Sequence, residues 1–409
     1  MGISRPKLAA GLLAASLMGG AAALPALAET QIMLPGWSDY SGPYADIMRG
    51  WEGGRVAVVG WWNATKGKEL GVKLTYKGVD GRYDPAQIAS LWPGVLSEFK
   101  PVLIFGMGGA DYAAMKTRLP QDKVPMISPT GGYGFTWAEN PWSFNLRPTL
   151  AHEAGMYVEW RRKAEGLSRP LKVVVVASEA APAWVDTVNG IKSFAAGNPD
   201  KLKVVDVIWT TPQPTDLTTD IYAAVAKDID AAIVMTNSAG SVAVKRALDN
   251  VGSDVPLVLG AHNGLTATGA AIGGLKKLTN TFECAAMAAP VAGTEAAAFY
   301  DELKAGYGLK TAWDSATILG VSQSLFMVNI LTEAIKRNGV DGLTGQKVRE
   351  VILDYAVPAA DMKGFTSDMK MNNEASFPLA GLTGYCATVK DGSFTVLDGT
   401  VQIPWIKKW

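Results

Sequence analysis

The chain has 409 residues and carries 38 acidic and 38 basic side chains, so its formal net charge is zero. This balance, without any basic block, argues against a nucleic acid as the partner. A chain of this length is too long for one ordinary core and predicts two domains.

The first 28 residues have the features of a secretory signal peptide. Arg5 and Lys7 precede an apolar stretch over 8–24, and the small-x-small pattern of a cleavage site ends at Ala28. We therefore expect a soluble periplasmic protein whose mature chain begins at Glu29. An N-terminal membrane anchor is the alternative, but the apolar stretch is short for one, and no later stretch is expected to span a bilayer.

Strands alternate with helices over the next part of the chain. The patterns predict strands at 31–34, 72–76, 102–105 and 124–127, and helices at 46–62, from 85 and from 111. Asp84 and Pro85 mark a helix start, because aspartate caps a first turn and proline suits its first position. The first helix carries apolar residues at helical spacing: Met48, Trp51, Val56, Val59 and Trp62.

The same alternation restarts after a helix predicted at 153–163. Further strands are predicted at 172–177, 204–209, 231–235 and 256–259, with helices at 182–195, 216–226 and from 241. The last third instead predicts helices at 294–305, 314–338 and 344–355 and a short β-rich tail at 384–389. We therefore predict an α/β protein with two doubly wound, parallel-sheet lobes, onto which the last third packs back.

Ligands of open α/β sheets bind where strands end, so the turns after the strands form the candidate site. In the first lobe these turns hold Tyr40, Ser41, Tyr44, Gly108, Gly109, Ser128, Thr130, Gly131 and Gly132. In the second lobe they hold Trp184, Asn237 and His262. The aromatic residues among them offer large apolar surfaces with polar tips, although each could equally pack in a core.

No catalytic or metal-binding pattern accompanies these turns. The chain has two histidines, no Gly-x-Ser-x-Gly elbow and no metal-ligand spacing, and its glycine turns match no nucleotide-binding motif. This favours binding over turnover. We expect a small-molecule ligand, no enzyme activity, no cofactor and no metal.

Four motifs occur in an order that resembles the periplasmic type I solute-binding proteins of ABC importers, in the branched-chain amino acid, urea and amide group. They are Ser41-Gly42-Pro43-Tyr44, Pro125-Met126-Ile127-Ser128-Pro129, Pro214-Thr215-Asp216-Leu217 and Trp313-Asp314-Ser315-Ala316. The resemblance covers essentially the whole chain after the leader. It implies two lobes joined by a three-crossover hinge, closing on a solute that is delivered to the transmembrane subunits of an ABC permease.

The resemblance also assigns roles to single residues. Gly108 and Gly109 stand where the family usually has hydroxyl side chains that hold a carboxylate. His262 stands where amino-acid binders have an acidic partner for the ammonium group, and a neutral histidine cannot replace that charge. We expect backbone N–H groups and aromatic surfaces to hold the solute, which is amino-acid-like, an amide, or an aromatic or neutral compound.

The resemblance implies lobe limits of 29–148 plus 284–365 and of 149–283 plus 366–409, and a monomer. Cys284 and Cys386 lie in strand-like runs near the family's second and third crossovers, so it also implies a disulfide between them. Two cysteines in a sequence do not by themselves show that they meet.

Two other functions are compatible with the sequence. A ligand-sensing subunit of a signalling receptor would have the same fold and cleft. A secreted enzyme on the same two-lobed fold would need a titratable pair in the cleft, and the strand ends show none.

Overall fold

The computed structural model describes residues 1–3, 29–129, 137, 139–180, 182–379 and 382–409. The expected signal peptide lies almost wholly outside these residues, and so do Thr130, Gly131 and Gly132 of the expected site. The described residues form two α/β lobes, as the alternation of strands and helices predicts.

The first lobe contains a parallel five-stranded sheet with the strand order β2-β1-β3-β4-β5. Its strands are β1 (Thr30–Ser38), β2 (Val72–Asp80), β3 (Ile104–Phe105), β4 (Met126–Ser128) and β5 (Ser143–Asn145). Its first helices are α1 (Ala45–Trp62), extended by a π-helical turn (Asn63–Gly67), then α2 (Lys68–Leu70), α3 (Pro85–Phe99), α4 (Gly109–Met115) and α5 (Arg118–Asp122).

The second lobe contains a seven-stranded sheet with the strand order β12-β11-β10-β9-β8-β6-β7. Its parallel strands are β6 (Leu171–Ser178), β7 (Leu202–Thr210), β8 (Ala231–Met235), β9 (Leu257–Leu259) and β10 (Thr281–Ala285). The antiparallel strands β11 (Thr383–Lys390) and β12 (Ser393–Gln402) follow at one edge. Its helices are α6 (Leu150–Glu165), α7 (Pro182–Gly197), α8 (Thr218–Val225), α9 (Ser238–Asn250) and α10 (Leu265–Ile272), followed by a 3-10 turn (Leu275–Lys277).

The remaining helices, α11 (Glu295–Gly306), α12 (Ser315–Asn338) and α13 (Gly345–Asp354), return to the first lobe. Helix α12 is long and apolar enough to cross a bilayer, which corrects the expectation that no later stretch would be. However, 89% of its apolar window is buried inside the lobe, where the helix packs mainly on α1. Its apolar surface therefore belongs to the core of this lobe.

Three segments cross between the lobes, as the resemblance implies. They are residues 146–149 after β5, 286–294 between β10 and α11, and a segment before β11 of which residues 378, 379 and 382 are described. Chain segments that run between two lobes in this way allow the lobes to rotate about a hinge.

The lobe limits differ from the expected ones at two places. Strand β10 continues through Ala285, so residues 284 and 285 belong to the second sheet. Before the third crossover, the Asn145 N–H donates to the Ser376 carbonyl, which keeps this segment on the first lobe beyond residue 366. We therefore propose lobe limits of 29–148 plus 286–377 and of 149–285 plus 383–409.

Cys284 and Cys386 are opposite each other in the antiparallel pair β10–β11 and are joined by a disulfide. Both side chains are fully buried. The bridge joins the strand before the second crossover to the strand after the third, across 102 residues of sequence.

Two buried side chains hold the carboxyl ends of three strands in the first lobe. Arg55 of α1 donates to the carbonyls of Trp37 (3.0 Å) and Gly106 (2.8 Å). Gln323 of α12 donates to the carbonyls of Gly106 (2.7 Å) and Ile127 (2.6 Å) and accepts from Arg55 Nε (3.0 Å). Because buried polar groups are stable only when their hydrogen bonds are made, this network holds the ends of the three strands together.

The buried face of α1 differs by one residue from the face that helical spacing predicts. Val56 was expected in the core and is 54% exposed, whereas its neighbour Arg55 is 0% exposed. Arg55 lies inside because strand carbonyls and Gln323 accept its hydrogen bonds, and because it packs 5.5 Å from the ring centroid of Trp51.

Candidate functional site

Two of the cavities lined by described residues lie between the lobes. The first cleft cavity, of about 380 Å³, is lined by the starts of α1 and α12 in one lobe and by α10 with its preceding loop in the other. The second cleft cavity, of about 680 Å³, lies between the turn before α1 and the start of α9. Cavities of this size at a boundary between lobes are typical of small-molecule sites.

The two lobes are in contact beside these cavities. The Ser238 hydroxyl of the second lobe donates to the Asp46 carboxylate of the first, at 3.2 Å. Asp46 lines both cleft cavities. The structure therefore has the lobes together rather than apart.

His262 lines the first cleft cavity, as the turn after β9 predicts. Its Nε2 lies 2.7 Å from the Thr236 carbonyl, which can only accept, so Nε2 carries the proton. Nδ1 is then an acceptor, and it is buried without a hydrogen-bond partner. Burial lowers the pKa of His262 to about 4, helped by the Arg147 guanidinium and opposed by the Thr236 carbonyl. The imidazole is therefore neutral at pH 7.

The described lining of the first cleft cavity carries acidic but no basic side chains. Asp46 and Asp314 are its two carboxylates. Asp314 caps α12 by accepting from the Thr317 N–H at 2.9 Å, and burial raises its pKa. The two carboxylates give this lining acceptor groups, which favours a solute that presents donors. Their only sequence signal is that each lies at the start of a helix.

Tyr44 and Trp184 meet across the cleft. Their ring centroids are 6.5 Å apart, and Tyr83 packs against Tyr44 at 4.7 Å. Both distances and the burial of Tyr44 and Trp184 fit aromatic packing, which between Tyr44 and Trp184 joins the two lobes. Burial raises the pKa of the Tyr44 phenol well above its usual value, so it stays protonated. Neither Tyr44 nor Trp184 lines the two cleft cavities.

The backbone N–H groups of Gly108 and Gly109 are not free, contrary to the expectation. The Asp111 carboxylate accepts from the N–H groups of Met107 (2.6 Å) and Gly108 (2.7 Å). The Tyr83 hydroxyl accepts from the Gly109 N–H at 3.2 Å. Burial raises the pKa of Asp111 to about 6, although the two backbone donors lower it. The side-chain carboxylate of Asp111 thus occupies the place where a ligand carboxylate was expected.

Ser128 ends β4 and is buried, and its Oγ has no hydrogen-bond partner. It lies against Gly106, where an added Cβ would be 2.1 Å from Ser128 Oγ and 3.1 Å from Asp111 Oδ2. A side chain at position 106 would therefore displace the side chain of Ser128. Thr130, Gly131 and Gly132, expected to continue this part of the site, lie outside the described residues.

Asn237 caps α9 through its Oδ1 and lines the second cleft cavity. Tyr40 and Ser41 bond within their own lobe instead. The Tyr40 hydroxyl donates to Glu52 at 2.5 Å and the Ser41 hydroxyl to Asp80 at 3.2 Å. Neither Tyr40 nor Ser41 lines the two cleft cavities.

A buried ion pair at the hinge was not apparent from the sequence. Arg147 Nη1 lies 2.5 Å from Glu153 Oε1, and both side chains are almost fully buried. Glu153 also accepts from the N–H groups of Ala261 and Ala286, each at 3.0 Å, and Arg147 donates to the Pro129 carbonyl at 2.8 Å. The pair therefore joins the turn after β4, the first two crossovers and the loop after β9.

Arg147 retains one hydrogen-bond donor. Its Nη2 is buried and has no partner among the described residues. The only sequence signal was an arginine between the turn residues Asn145 and Pro148 ahead of a helix.

Another buried acid, Glu283, makes its hydrogen bonds within the second lobe. Its oxygens accept from the Tyr385 hydroxyl and, at 2.6 Å, from the Leu265 N–H. Burial raises the pKa of Glu283 to about 7, although these two donors lower it. In the part of the chain that the structure describes, no group of three or more His, Cys, Asp or Glu side chains could hold a metal ion.

Comparisons with known proteins agree with this architecture. A family described as periplasmic binding protein matches residues 31–381. A substrate binding protein of an ABC transporter from Aeropyrum pernix is similar in structure, with a TM-score of 0.76 and 16% identity over 92% of this chain and 96% of that one. A branched chain amino acid ABC transporter protein from Thermus thermophilus with bound valine has a TM-score of 0.78 and 15% identity over 92% and 97%.

A fatty acid ABC transporter substrate-binding protein from Thermomonospora curvata has a TM-score of 0.75 and 16% identity, over 93% of this chain and 96% of that one. Identities this low show a shared fold alone. Curated protein sequences gave no match. The type I periplasmic binding fold that the resemblance implies is thereby confirmed.

Proposed function

Because this chain belongs to the family of periplasmic binding proteins, we propose that it captures a small organic solute between its lobes and delivers it to an ABC permease. The observation that carries the proposal is the first cleft cavity, which is walled by both lobes and lined by His262 with its unpartnered Nδ1. A solute that contacts both lobes favours the closed arrangement, so binding is coupled to closure.

We infer that the solute presents an N–H or O–H group to His262. The neutral imidazole offers a lone pair there, and the carboxylates on the same wall also accept. An amide or an amino-acid-like compound has such a donor group, and a hydroxylated aromatic compound meets the same requirement.

A thermal-shift screen of the mature protein tests this proposal. The panel comprises amides, amino acids, aromatic acids and small alcohols. A specific solute at a hundredfold excess over its dissociation constant adds about 2.7 kcal/mol of stability. Uptake of that solute by the permease reconstituted in vesicles with this protein supports delivery. Binding without uptake, together with capture of a receptor, favours the sensing function instead.

Replacing Trp184 with alanine is expected to weaken solute binding by about 2–4 kcal/mol, because its contact with Tyr44 across the cleft holds together the lobes that enclose the solute. Isothermal calorimetry with the solute found in the screen measures this. Trp209→Ala, which removes an exposed tryptophan from the same lobe, is the matched control and should bind as the wild type does. Equal affinities in all three proteins would contradict the role of Trp184.

His262→Gln is expected to weaken binding about tenfold, the size of one lost hydrogen bond, while His262→Asn keeps most of the affinity. Glutamine retains a donor for the Thr236 carbonyl but lacks an acceptor at the place of Nδ1, whereas the asparagine oxygen lies near that place. Calorimetry of both variants separates the two roles of the ring.

The pH dependence of wild-type binding follows from the same ring. Because burial lowers the pKa of His262 to about 4, Nδ1 stays unprotonated from pH 8 down to 5. Affinity should be constant over that range and fall as Nδ1 gains a proton near pH 4. A drop centred between pH 6 and 7 that is absent from His262→Asn would show that the imidazole is not held neutral.

We propose that the protein is exported and that its signal peptide is cleaved after Ala28, because the small-x-small pattern of a cleavage site ends there. Intact-mass measurement of protein from the periplasmic fraction should give a chain beginning at Glu29. Recovery of the chain with residues 1–28 attached would contradict the cleavage.

A further inference from the structure

Another cavity, of about 370 Å³, shares no lining residue with the two cleft cavities. We call it the hinge cavity, because all three crossovers contribute to its wall: Leu146 from the first, residues 286–289 and Val291 from the second, and Leu382 from the third. Phe365 and Thr366 of the first lobe and Val396 of β12 complete its sides.

The chemistry of the hinge cavity differs from that of the cleft. Its described lining consists of aliphatic, aromatic, glycine and hydroxyl residues, without a charged side chain. Thr366 Oγ1 is buried there and has no hydrogen-bond partner. A mostly apolar pocket with one unsatisfied hydroxyl suits an uncharged molecule that has an apolar body and one polar group.

The position of the hinge cavity couples its shape to the relative orientation of the two lobes. When the lobes rotate, the torsion angles that change lie in the crossovers, and residues of all three crossovers form this wall. The cavity therefore has its present shape only in the present arrangement, in which the Asp46–Ser238 and Tyr44–Trp184 contacts hold the lobes together. A ligand of that shape stabilises this arrangement over the others.

We propose that the hinge cavity is a second binding site, for a small uncharged molecule with one hydroxyl or carbonyl group, and that its occupancy favours the closed arrangement of the lobes. This site lies beyond the proposed function, because its ligand contacts neither cleft cavity.

Benzyl alcohol and toluene form a matched pair of probes, since they differ in the group that meets Thr366. Saturation-transfer NMR on the mature protein should show millimolar binding of both, with benzyl alcohol about three- to tenfold tighter, as one hydrogen bond provides. Thr366→Val should remove that preference and leave toluene unchanged. No binding of either probe by the wild type would overturn the proposal.

Val396→Phe fills the cavity from the edge strand and should abolish binding of both probes. Leu397→Phe changes the next residue of β12, which is exposed, and should bind as the wild type does. Val396→Phe could also unfold the edge, so its circular dichroism is compared with that of Leu397→Phe, and Thr366→Val provides an independent result. Binding of either probe that survives Val396→Phe in a folded protein would place the probes outside the hinge cavity and overturn the proposal.

Closure is measured by energy transfer between dyes on Val56→Cys and Tyr222→Cys, two exposed positions on α1 and α8 of opposite lobes. The chain has two cysteines, both in the disulfide, so only the introduced thiols react. Saturating benzyl alcohol should raise the population with the shorter dye distance, and Val396→Phe should show no change. An unchanged or longer distance in the labelled protein would overturn the coupling.

Discussion

Replacing Glu153 with glutamine should lower the free energy of unfolding by ~3–5 kcal/mol, the usual cost of removing one partner from a buried ion pair. The Arg147 guanidinium would then be buried without a counter-charge, 2.5 Å from where the carboxylate was. The N–H groups of Ala261 and Ala286 would compete for one remaining acceptor. Urea unfolding at pH 7 measures the loss.

Glu159→Gln is the matched control on the same helix. Glu159 pairs with Lys201 at 2.7 Å, but both side chains are 32% exposed, so its loss should cost about 0–1 kcal/mol. Adding Arg147→Met to Glu153→Gln should recover part of the stability, because no buried charge is then unpaired. Equal losses of under about 1 kcal/mol for Glu153→Gln and Glu159→Gln would contradict the role of this pair.

The double variant Cys284→Ala/Cys386→Ala should lose about 2–5 kcal/mol of unfolding free energy. The disulfide closes a loop with a sequence separation of 102 residues, and constraining so long a loop in the unfolded chain gives up to ~4.7 kcal/mol in the chain-entropy model. The loop contains α11, α12 and α13, so the bridge restrains the whole segment that returns to the first lobe.

A reductant separates the bridge from the loss of two buried side chains. Dithiothreitol should destabilise the wild type towards the stability of the double variant and leave the double variant unchanged in urea unfolding. Two thiols titrating in unfolded, unreduced wild type would show that the bridge does not form.

Local signals in the sequence were sufficient for the elements and their order. The start of α3 is confirmed, since the Asp84 carboxylate accepts from the Ala86 N–H at 2.8 Å with Pro85 in the first turn. The strand–turn–helix alternation and the turns that carry Asn237 and His262 were also readable. Each of these signals depends on residues a few positions apart. The interacting residues can therefore be recognised together in the sequence.

The same local signals also explain what the sequence missed. Strand β5 has only three residues and α10 only eight, which is too short for a clear period. Periodicity likewise placed Val56 in the core, one position from Arg55, because it measures the apolar face and not the polar partners that allow an arginine inside.

The tertiary structure alone decided the chemistry of the site. Arg55 is buried because Gln323, 268 residues away, accepts its hydrogen bond, and Glu153 holds the hinge because Ala261 and Ala286 donate to it. The tautomer of His262 depends likewise on a carbonyl 26 residues away. By itself the sequence determined two α/β lobes and the turns that face each other. Which donors and acceptors remain free in the cleft was decided by folding, because a hydrogen bond has a range of about 3 Å and its partners here are brought together from distant segments.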